Sequence, residues 1–197
     1  MRAYYDARAP EYDEWYDGEG RFAELDRPGW AEELDALEEA LTALAPARTL
    51  DVACGTGYLS RHLRGALTLL DGSRRMLAIA AARRPDAEVV HADALDRLPF
   101  GDGAFGRVFA GHFYGHLDPP QRAAFLGEAR RLAPELVLVD SALRDGVEPE
   151  SVQTRVLNDG SEWTVYKRYF RGEELLGEIG GGRVLLDGRW FVAVAAP

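Results

Sequence analysis

The sequence lacks the features of a secreted or membrane protein. It contains a single cysteine, Cys54, so no disulfide bond can form within the chain. No apolar run approaches the ~20 residues that a membrane-spanning helix needs. The first ten residues include two arginines, one aspartate and two tyrosines, and they contain no apolar stretch of the kind found in signal peptides. We therefore expect a cytoplasmic protein without membrane insertion.

Positive charge is also scarce, because 23 basic residues stand against 33 acidic ones and give a net charge of −10. Proteins that bind nucleic acids usually carry a basic stripe that replaces the counterions of the phosphate backbone. The arginine pairs 74–75 and 83–84 recur at helical spacing, which is typical of a solvated helix face. We therefore expect no nucleic-acid partner.

The length of 197 residues and an apolar content of 47% suit a single domain with one sizeable core. We divide this domain into a helical lid (residues 1–46), a cofactor-binding core (47–141), and a substrate-side segment with a terminal hairpin (142–197). The lid begins with an aromatic-rich helical stretch. Its second helix, at 30–44, has apolar residues at intervals of three and four.

From residue 49 onward, short apolar runs alternate with helical segments, which is typical of a parallel α/β sheet. We predict strands at 49–53, 67–71, 88–91, 105–111 and 135–141, and helices at 58–63, 73–83 and 119–132. Ser73 is the expected N-cap of the second of these helices. Toward the end of the chain we predict an alternating aromatic segment at 163–170, a helix at 172–179, and an antiparallel hairpin formed by 183–187 and 190–195.

The most informative segment runs from Leu50 to Tyr58, where a strand leads directly into a glycine turn. Glycines at such a turn let a ligand approach the backbone closely. A dinucleotide fingerprint would need a third glycine, but Ser60 stands there. Asp51 ends the strand, where its charge would oppose a pyrophosphate and favour a cation.

Two further acids end the next two predicted strands. Asp71 follows Asp51 by twenty residues, the place of a carboxylate that accepts both hydroxyls of a ribose. Asp93 follows the third strand, where it could accept a hydrogen bond from the exocyclic amine of a purine. Three acids at successive strand ends fit a ligand with an ammonium group, a ribose and an adenine but no phosphate, as in S-adenosylmethionine.

Several segments resemble the motifs of class I methyltransferases, specifically the type 11 group that includes the quinone-biosynthesis methyltransferases. They are Asp-Val-Ala-Cys-Gly-Thr-Gly from residue 51, Leu-Asp-Gly-Ser-Arg-Arg-Met-Leu from 70, and Asp-Ala-Leu-Asp-Arg-Leu-Pro-Phe from 93. The resemblance is close over residues 49–141. It implies a Rossmann-like methyltransferase fold, with a mostly parallel seven-stranded sheet, a C-terminal antiparallel hairpin and helices on both faces.

The resemblance also implies S-adenosyl-L-methionine as cofactor, S-adenosyl-L-homocysteine as product, and a set of residues that bind the cofactor. Asp51, Ala53, Gly55 and Gly57 would lie near the methionine part. Asp71 and Gly72 would lie at the ribose, and Met76, Asp93 and Ala94 at the adenine. Tyr5 and Tyr12 match lid positions that close over the methionine end. No metal site is implied.

Methyl transfer from a sulfonium depends mainly on alignment of the acceptor with the methyl group, and a general base is optional. The candidates for catalysis follow the fourth strand: His112 first, because a neutral imidazole can take a proton near pH 7, then His116 and Tyr114. We expect the acceptor to be a small apolar or aromatic molecule, covered by Trp163, Tyr166, Tyr169 and Phe170. A core-facing strand would explain the same aromatic pattern equally well. We expect a monomer or a homodimer.

Three alternatives remain open from the sequence. The strand–glycine–helix unit with Asp71 would also suit a nucleotide-dependent oxidoreductase, although the missing third glycine argues against it. A non-catalytic protein that binds S-adenosylmethionine would have the same cofactor site. A nucleic-acid methyltransferase is disfavoured by the net charge and by the absence of an Asn/Asp-Pro-Pro-Tyr motif.

Overall fold

The computed structural model describes residues 2–197. Within these residues it contains six α-helices, which are α1 (Arg2–Arg8), α2 (Glu14–Asp17), α3 (Trp30–Thr42), α4 (Arg74–Arg83), α5 (Pro119–Leu132) and α6 (Gly172–Glu178). The nine strands of the same residues are β1 (Thr49–Val52), β2 (Leu67–Asp71), β3 (Glu88–His91), β4 (Arg107–Gly111), β5 (Glu135–Ser141), β6 (Glu150–Val156), β7 (Glu162–Arg168), β8 (Arg183–Asp187) and β9 (Phe191–Ala196).

Seven strands form the main sheet, in the order β3-β2-β1-β4-β5-β9-β8. Neighbours among β1 to β5 are parallel, whereas β9 is antiparallel to both β5 and β8. The predicted mostly parallel sheet with a terminal hairpin is therefore confirmed. Strand order reverses between β1 and β4, and in open α/β sheets ligands bind at the carboxyl ends of the strands beside such a point.

The central strands are buried on both faces because alternate side chains enter two separate clusters. In β4 and β5, Val108 and Leu138 pack in one cluster with residues of α5 and α6. Phe109 and Val139 point the opposite way and pack with the leucines of α3. This alternation with helices on both faces explains why the strands are near-continuous apolar runs in the sequence.

Two local predictions differ from the structure. The predicted helix at 58–63 is wrong, since only a short 3-10 helix forms at Ser60–His62. Ala53, Gly55 and Gly57 all have positive φ angles, of 57°, 55° and 71°, so the chain leaves β1 through a left-handed turn, and the 3-10 helix follows this turn. Strand β6 was not predicted, because its alternate residues are only partly buried and its apolar pattern is weak. It pairs with β7 in a separate two-stranded sheet.

Three aspartates of the lid accept hydrogen bonds from side chains in the glycine turn, just after it, and at the start of α4. Asp6 accepts from the Ser73 hydroxyl, Asp13 accepts from Thr56, and Asp17 accepts from the Tyr58 hydroxyl. As predicted, Ser73 caps α4, and its hydroxyl accepts from the backbone N–H of Met76. No helix within residues 2–197 combines the length and the apolar character needed to span a bilayer.

Candidate active site

A cavity of about 210 Å³ lies at the carboxyl ends of β1 to β4, and we call it the strand-end cavity. It is closed on the lid side by two tyrosines. Eight of the residues predicted to bind the cofactor line it: Tyr5, Tyr12, Ala53, Gly55, Asp71, Gly72, Asp93 and Ala94. The structure therefore brings together, from three strand ends and the lid, eight predicted residues that are up to 89 positions apart in the sequence.

Asp71 lines the strand-end cavity and accepts two backbone hydrogen bonds. Its Oδ2 accepts a hydrogen bond from the N–H of Gly55 at 2.9 Å, and its Oδ1 accepts from the N–H of Ser73 at 2.7 Å. Burial raises the pKa of Asp71, while these two hydrogen bonds oppose that rise. Each carboxylate oxygen has a second lone pair, so the group can still accept hydrogen bonds from a ligand's hydroxyls.

A second cavity, of about 340 Å³, lies between the lid and the carboxyl end of β5, and we call it the lid cavity. Its walls include Trp15, Trp30, Tyr169 and Trp190, together with several arginines. Tyr5, Tyr12, His112 and His116 line both cavities, so they mark the place where the two meet.

A family model described as a methyltransferase domain matches residues 49–135. The malonyl-[acyl-carrier protein] O-methyltransferase of Pectobacterium atrosepticum is 34% identical over 148 residues, which are 73% of this chain and 56% of that protein. The demethylmenaquinone methyltransferase of Thermotoga maritima is 34% identical over 99 residues, 48% of this chain and 42% of that protein. The chain thus spans about half the length of the curated relatives it matches.

Among solved structures, one described as the DhpI-SAM-HEP complex covers 99% of this chain and 95% of its own, with 27% identity and a TM-score of 0.77. The chain belongs to the class I S-adenosylmethionine-dependent methyltransferases. The methyltransferase names of these relatives agree with the resemblance to the quinone-biosynthesis group. They also decide against the oxidoreductase interpretation of the glycine turn.

The strand-end cavity of this methyltransferase fits S-adenosylmethionine in its chemistry. Acidic groups at Asp71 and Asp93 face it, and Ala94, Leu95, Phe113 and Leu117 supply apolar walls. Asp93 is exposed, and its Oδ1 accepts from the N–H of Leu95. A side chain at Gly55 would place its Cβ 3.5 Å from the Tyr12 ring, so glycine leaves that space between turn and lid open.

Asp51 lies beneath the glycine turn and outside the strand-end cavity. Its carboxyl group is buried, and neither oxygen has a hydrogen-bond partner within residues 2–197. It lines a very small void of about 10 Å³ together with Ser60 and Tyr12. Burial raises the pKa of Asp51 to about 8. With this pKa, the carboxyl group is largely protonated at pH 7.

Besides Asp51, two predicted cofactor residues do not line the strand-end cavity or the lid cavity. Met76 is completely buried at the start of α4. Gly57 packs beside Ala80, where an added Cβ would lie 3.4 Å from the Ala80 side chain. Both residues lie behind the cavity wall in the structure, where they shape the turn and the helix that follows it.

His112 lies where the two cavities meet, directly after β4. It has a positive φ of 53°, and its N–H donates to the carbonyl of Val139. Its Nδ1 is 4.0 Å from Oδ1 of Asp140, and its Nε2 has no hydrogen-bond partner within the described chain. Burial lowers the pKa of His112 to about 3, so the imidazole is neutral.

The other two predicted catalytic residues differ in placement. His116 lines both cavities, and its Nδ1 lies 2.7 Å from the carbonyl oxygen of Tyr166, to which it must donate. Burial, with the nearby charge of Lys167, lowers the pKa of His116 to about 3. Tyr114 lines neither cavity, and its hydroxyl donates to Glu178 at 2.9 Å. Its position indicates a structural role.

The sequence did not reveal a buried ion pair behind the two histidines. Asp140 is fully buried at the end of β5, and its Oδ1 lies 2.5 Å from Nζ of Lys167, the only lysine of the sequence. Asp140 also accepts from the N–H of Gly115, where any Cβ would lie 2.8 Å from its Oδ1. Although burial opposes it, the charge of Lys167 lowers the pKa of Asp140.

The aromatic segment predicted to cover the acceptor only partly faces the lid cavity. Tyr169 lines it, but Trp163 packs on Tyr4 in a separate cluster and Phe170 lies in the core. The hydroxyl of Tyr166 donates to Glu150 at the surface. Strand β7 points alternate side chains to opposite sides, so four neighbouring aromatics cannot all face one cavity.

Proposed function

We propose that this methyltransferase transfers the methyl group of S-adenosylmethionine to a small molecule held in the lid cavity. One observation carries the proposal: the strand-end cavity and the lid cavity meet at Tyr5, Tyr12, His112 and His116. A cofactor in the first cavity and an acceptor in the second would therefore be adjacent at that boundary.

In this proposal, Asp71 holds the ribose hydroxyls, while Asp93 and Ala94 hold the adenine. Tyr5 and Tyr12 lie on the methionine part, beside the turn at Gly55. Burial raises the pKa values of both tyrosines, so their phenols remain neutral and present only aromatic faces and hydroxyl groups. The lid (1–46) and the segment 142–197 enclose the acceptor, and 47–141 hold the cofactor.

When bound, S-adenosylmethionine supplies an activated methyl group on a sulfonium. The chain's own contribution is orientation, which can be worth roughly 7–11 kcal/mol in a well-aligned pair. His112 and His116, both neutral, fix the boundary between the cavities, and the lid excludes water from it. Because both imidazoles have low pKa values, they are weak bases, and they position the acceptor rather than deprotonate it.

We further propose that the acceptor has an apolar or aromatic body. The side chains of Trp15, Trp30, Trp190 and Tyr169 line the lid cavity and offer flat apolar surfaces to such a body. The malonyl-[acyl-carrier protein] and demethylmenaquinone enzymes are named for different acceptors, so the comparisons leave the acceptor to be identified by experiment.

The cofactor part of the proposal is tested by calorimetric titration with S-adenosylmethionine, S-adenosylhomocysteine and NADH. We expect S-adenosylmethionine and S-adenosylhomocysteine to bind. Asp71→Asn should weaken the binding of both roughly 10-fold or more, because a carboxylate accepts hydrogen bonds from ribose hydroxyls more strongly than an amide does. Asp35→Asn, an exposed change of the same kind on α3, is the matched control. Binding of NADH alone would contradict the proposal.

Turnover is tested with methyl-labelled S-adenosylmethionine and a panel of small acceptors, by counting label in the separated products. Transfer by the wild type establishes an enzyme and rules out a purely regulatory cofactor-binding protein. A chain that binds S-adenosylhomocysteine tightly yet transfers label to no member of a broad panel would favour the non-catalytic alternative.

A further inference from the structure

The lid cavity has a charge opposite to that of the whole chain. Five cationic side chains line it: Arg8, Arg27, Arg144, Arg155 and Lys167. Asp26, which is exposed, is the one carboxylate among its lining residues in the described chain. The protein as a whole has a net charge of −10, so this concentration of positive charge is local.

The five cations come from different parts of the fold. Arg8 ends α1, Arg27 precedes α3, Arg144 follows β5, and Arg155 lies on β6. A solvated helix face places its charges on one element at helical spacing. These five residues lie on different elements instead. The folded chain therefore gathers these residues from distant positions into one wall.

Four of the five cations have no internal counter-charge. Lys167 is paired with Asp140, but none of the four arginines forms an ion pair within residues 2–197. Arg155 donates to Gln153, and Arg27 donates to the carbonyl of Trp15. Arg144 lies over the Trp190 ring at 4.5 Å.

All four arginines are only partly exposed, so water screens them incompletely. Partly desolvated positive charges repel one another and attract an anion, and guanidinium groups bind carboxylate and phosphate-type oxygens in a bidentate manner. A cationic acceptor would be repelled both by this wall and by a sulfonium in the neighbouring cavity.

We propose that the methyl acceptor is a small organic acid whose oxyanion, a carboxylate or a phosphate-type group, is bound by the arginines of the lid cavity. This inference rests on the proposed function, because it assigns a substrate class to the same site. It adds an anionic group to the apolar or aromatic body proposed above.

The test uses the protein saturated with S-adenosylhomocysteine and titrates it with inorganic phosphate and with three ligands of similar body: phenylacetate, phenylphosphonate and 2-phenylethanol. We expect at least one oxyanion to bind about 10-fold or more tightly than the neutral alcohol, and its binding to weaken as salt is added. The ratio between carboxylate and phosphonate identifies which oxyanion fits better.

Arg144→Gln and Arg155→Gln are the test variants, because neither arginine holds the backbone of another element by a hydrogen bond in the described residues. Each should weaken anion binding roughly 10-fold and leave binding of the alcohol unchanged. Arg74→Gln, an exposed change on α4 with the same loss of charge, is the matched control and should alter neither.

Equal binding of anions and alcohol, or equal effects of all three variants, would overturn the inference. Binding of S-adenosylhomocysteine is measured first in every sample. If it is absent, the proposed function fails, whereas if it is present without anion preference, only the acceptor class is wrong.

Discussion

At the scale of single residues, two strained positions lie at the site. Ala53 and His112 are the non-glycine residues with positive φ within residues 2–197. They follow the neighbouring strands β1 and β4, and both line the strand-end cavity. A left-handed conformation costs an L-residue roughly 1–2 kcal/mol, and such strain often concentrates where a backbone must present groups to a ligand.

Ala53→Gly should raise the free energy of unfolding by about 1 kcal/mol, because glycine adopts this φ without a Cβ penalty. Chemical denaturation measures the change. The control is Ala78→Gly, at an exposed position inside α4, which should lower stability by about 0.5–1 kcal/mol. Destabilisation of similar size by both changes would show that Ala53 is not strained.

His112→Asn tests the boundary between the cavities, and asparagine is chosen because it tolerates a left-handed backbone. We expect kcat to fall about 10-fold or more, with binding of S-adenosylhomocysteine changed less than about 3-fold, because orientation of the acceptor is lost. His62→Asn, remote from both cavities, is the control.

The pH profile distinguishes positioning from proton transfer. Since burial lowers the pKa of His112 to about 3, wild-type kcat should show no loss attributable to His112 protonation from pH 5.5 to 9. An acid limb near pH 6.5 that disappears in His112→Asn would show instead that His112 titrates as a general base.

At the scale of elements, the contacts of the lid determine how firmly it covers the strand-end cavity. Asp13 joins the lid to two other parts of the chain. Its Oδ1 accepts a hydrogen bond from Thr56 in the glycine turn, and its Oδ2 forms an ion pair with Arg83 of α4 at 2.6 Å. The Tyr16 ring stacks on Tyr58 at 4.0 Å, which adds a second contact between lid and turn. These contacts hold the lid closed.

Asp13→Ala should speed dissociation of S-adenosylhomocysteine about 10-fold, because the closed lid loses both its hydrogen bond to the turn and its ion pair to α4. Stopped-flow displacement measures the rate. Asp35→Ala, on the outer side of α3, should leave it unchanged. An unaltered rate in Asp13→Ala would mean that lid opening does not limit release.

Some helices and strands could be predicted from the sequence, and others could not. The strands β2, β3 and β5 and the helix α5 were predicted with their observed bounds, because apolar runs mark the strands and the prolines at 119–120 mark the start of the helix. The helix predicted at 58–63 was wrong, since only the 3-10 helix Ser60–His62 forms there. Strand β6 is held by its pairing with β7, which sequence pattern alone does not show.

At the scale of the whole molecule, the two cavities differed in how far the sequence revealed them. The strand-end cavity uses residues at the ends of successive strands, so motif spacing located six of the residues that line it. The arginines of the lid cavity are isolated in the sequence, from Arg8 to Arg155, and only the folded chain brings them together. The Asp140–Lys167 pair is likewise a contact across 27 positions.

The free energy of unfolding should depend on pH in part through the titration of Asp51. Its pKa is raised to about 8 from an ordinary 3.8, because burial disfavours the charged carboxylate and the nearby charge of Asp71 adds to the rise. Between about pH 4 and 8, the folded chain therefore holds one proton more at Asp51 than the unfolded chain. This contribution is complete below the unfolded pKa and is lost as pH rises through 8.

Asp51→Asn removes this titration. The free energy of unfolding of the variant relative to wild type should thus rise by about 2–4 kcal/mol between pH 5 and pH 8, since each pH unit is worth up to about 1.4 kcal/mol. The change with pH is the readout, because burying an amide adds an offset that does not depend on pH. Asp35→Asn should give a flat difference over the same range. If the Asp51→Asn difference is also flat, Asp51 is ionised in the folded chain at pH 5 and water or a neighbouring group satisfies its charge.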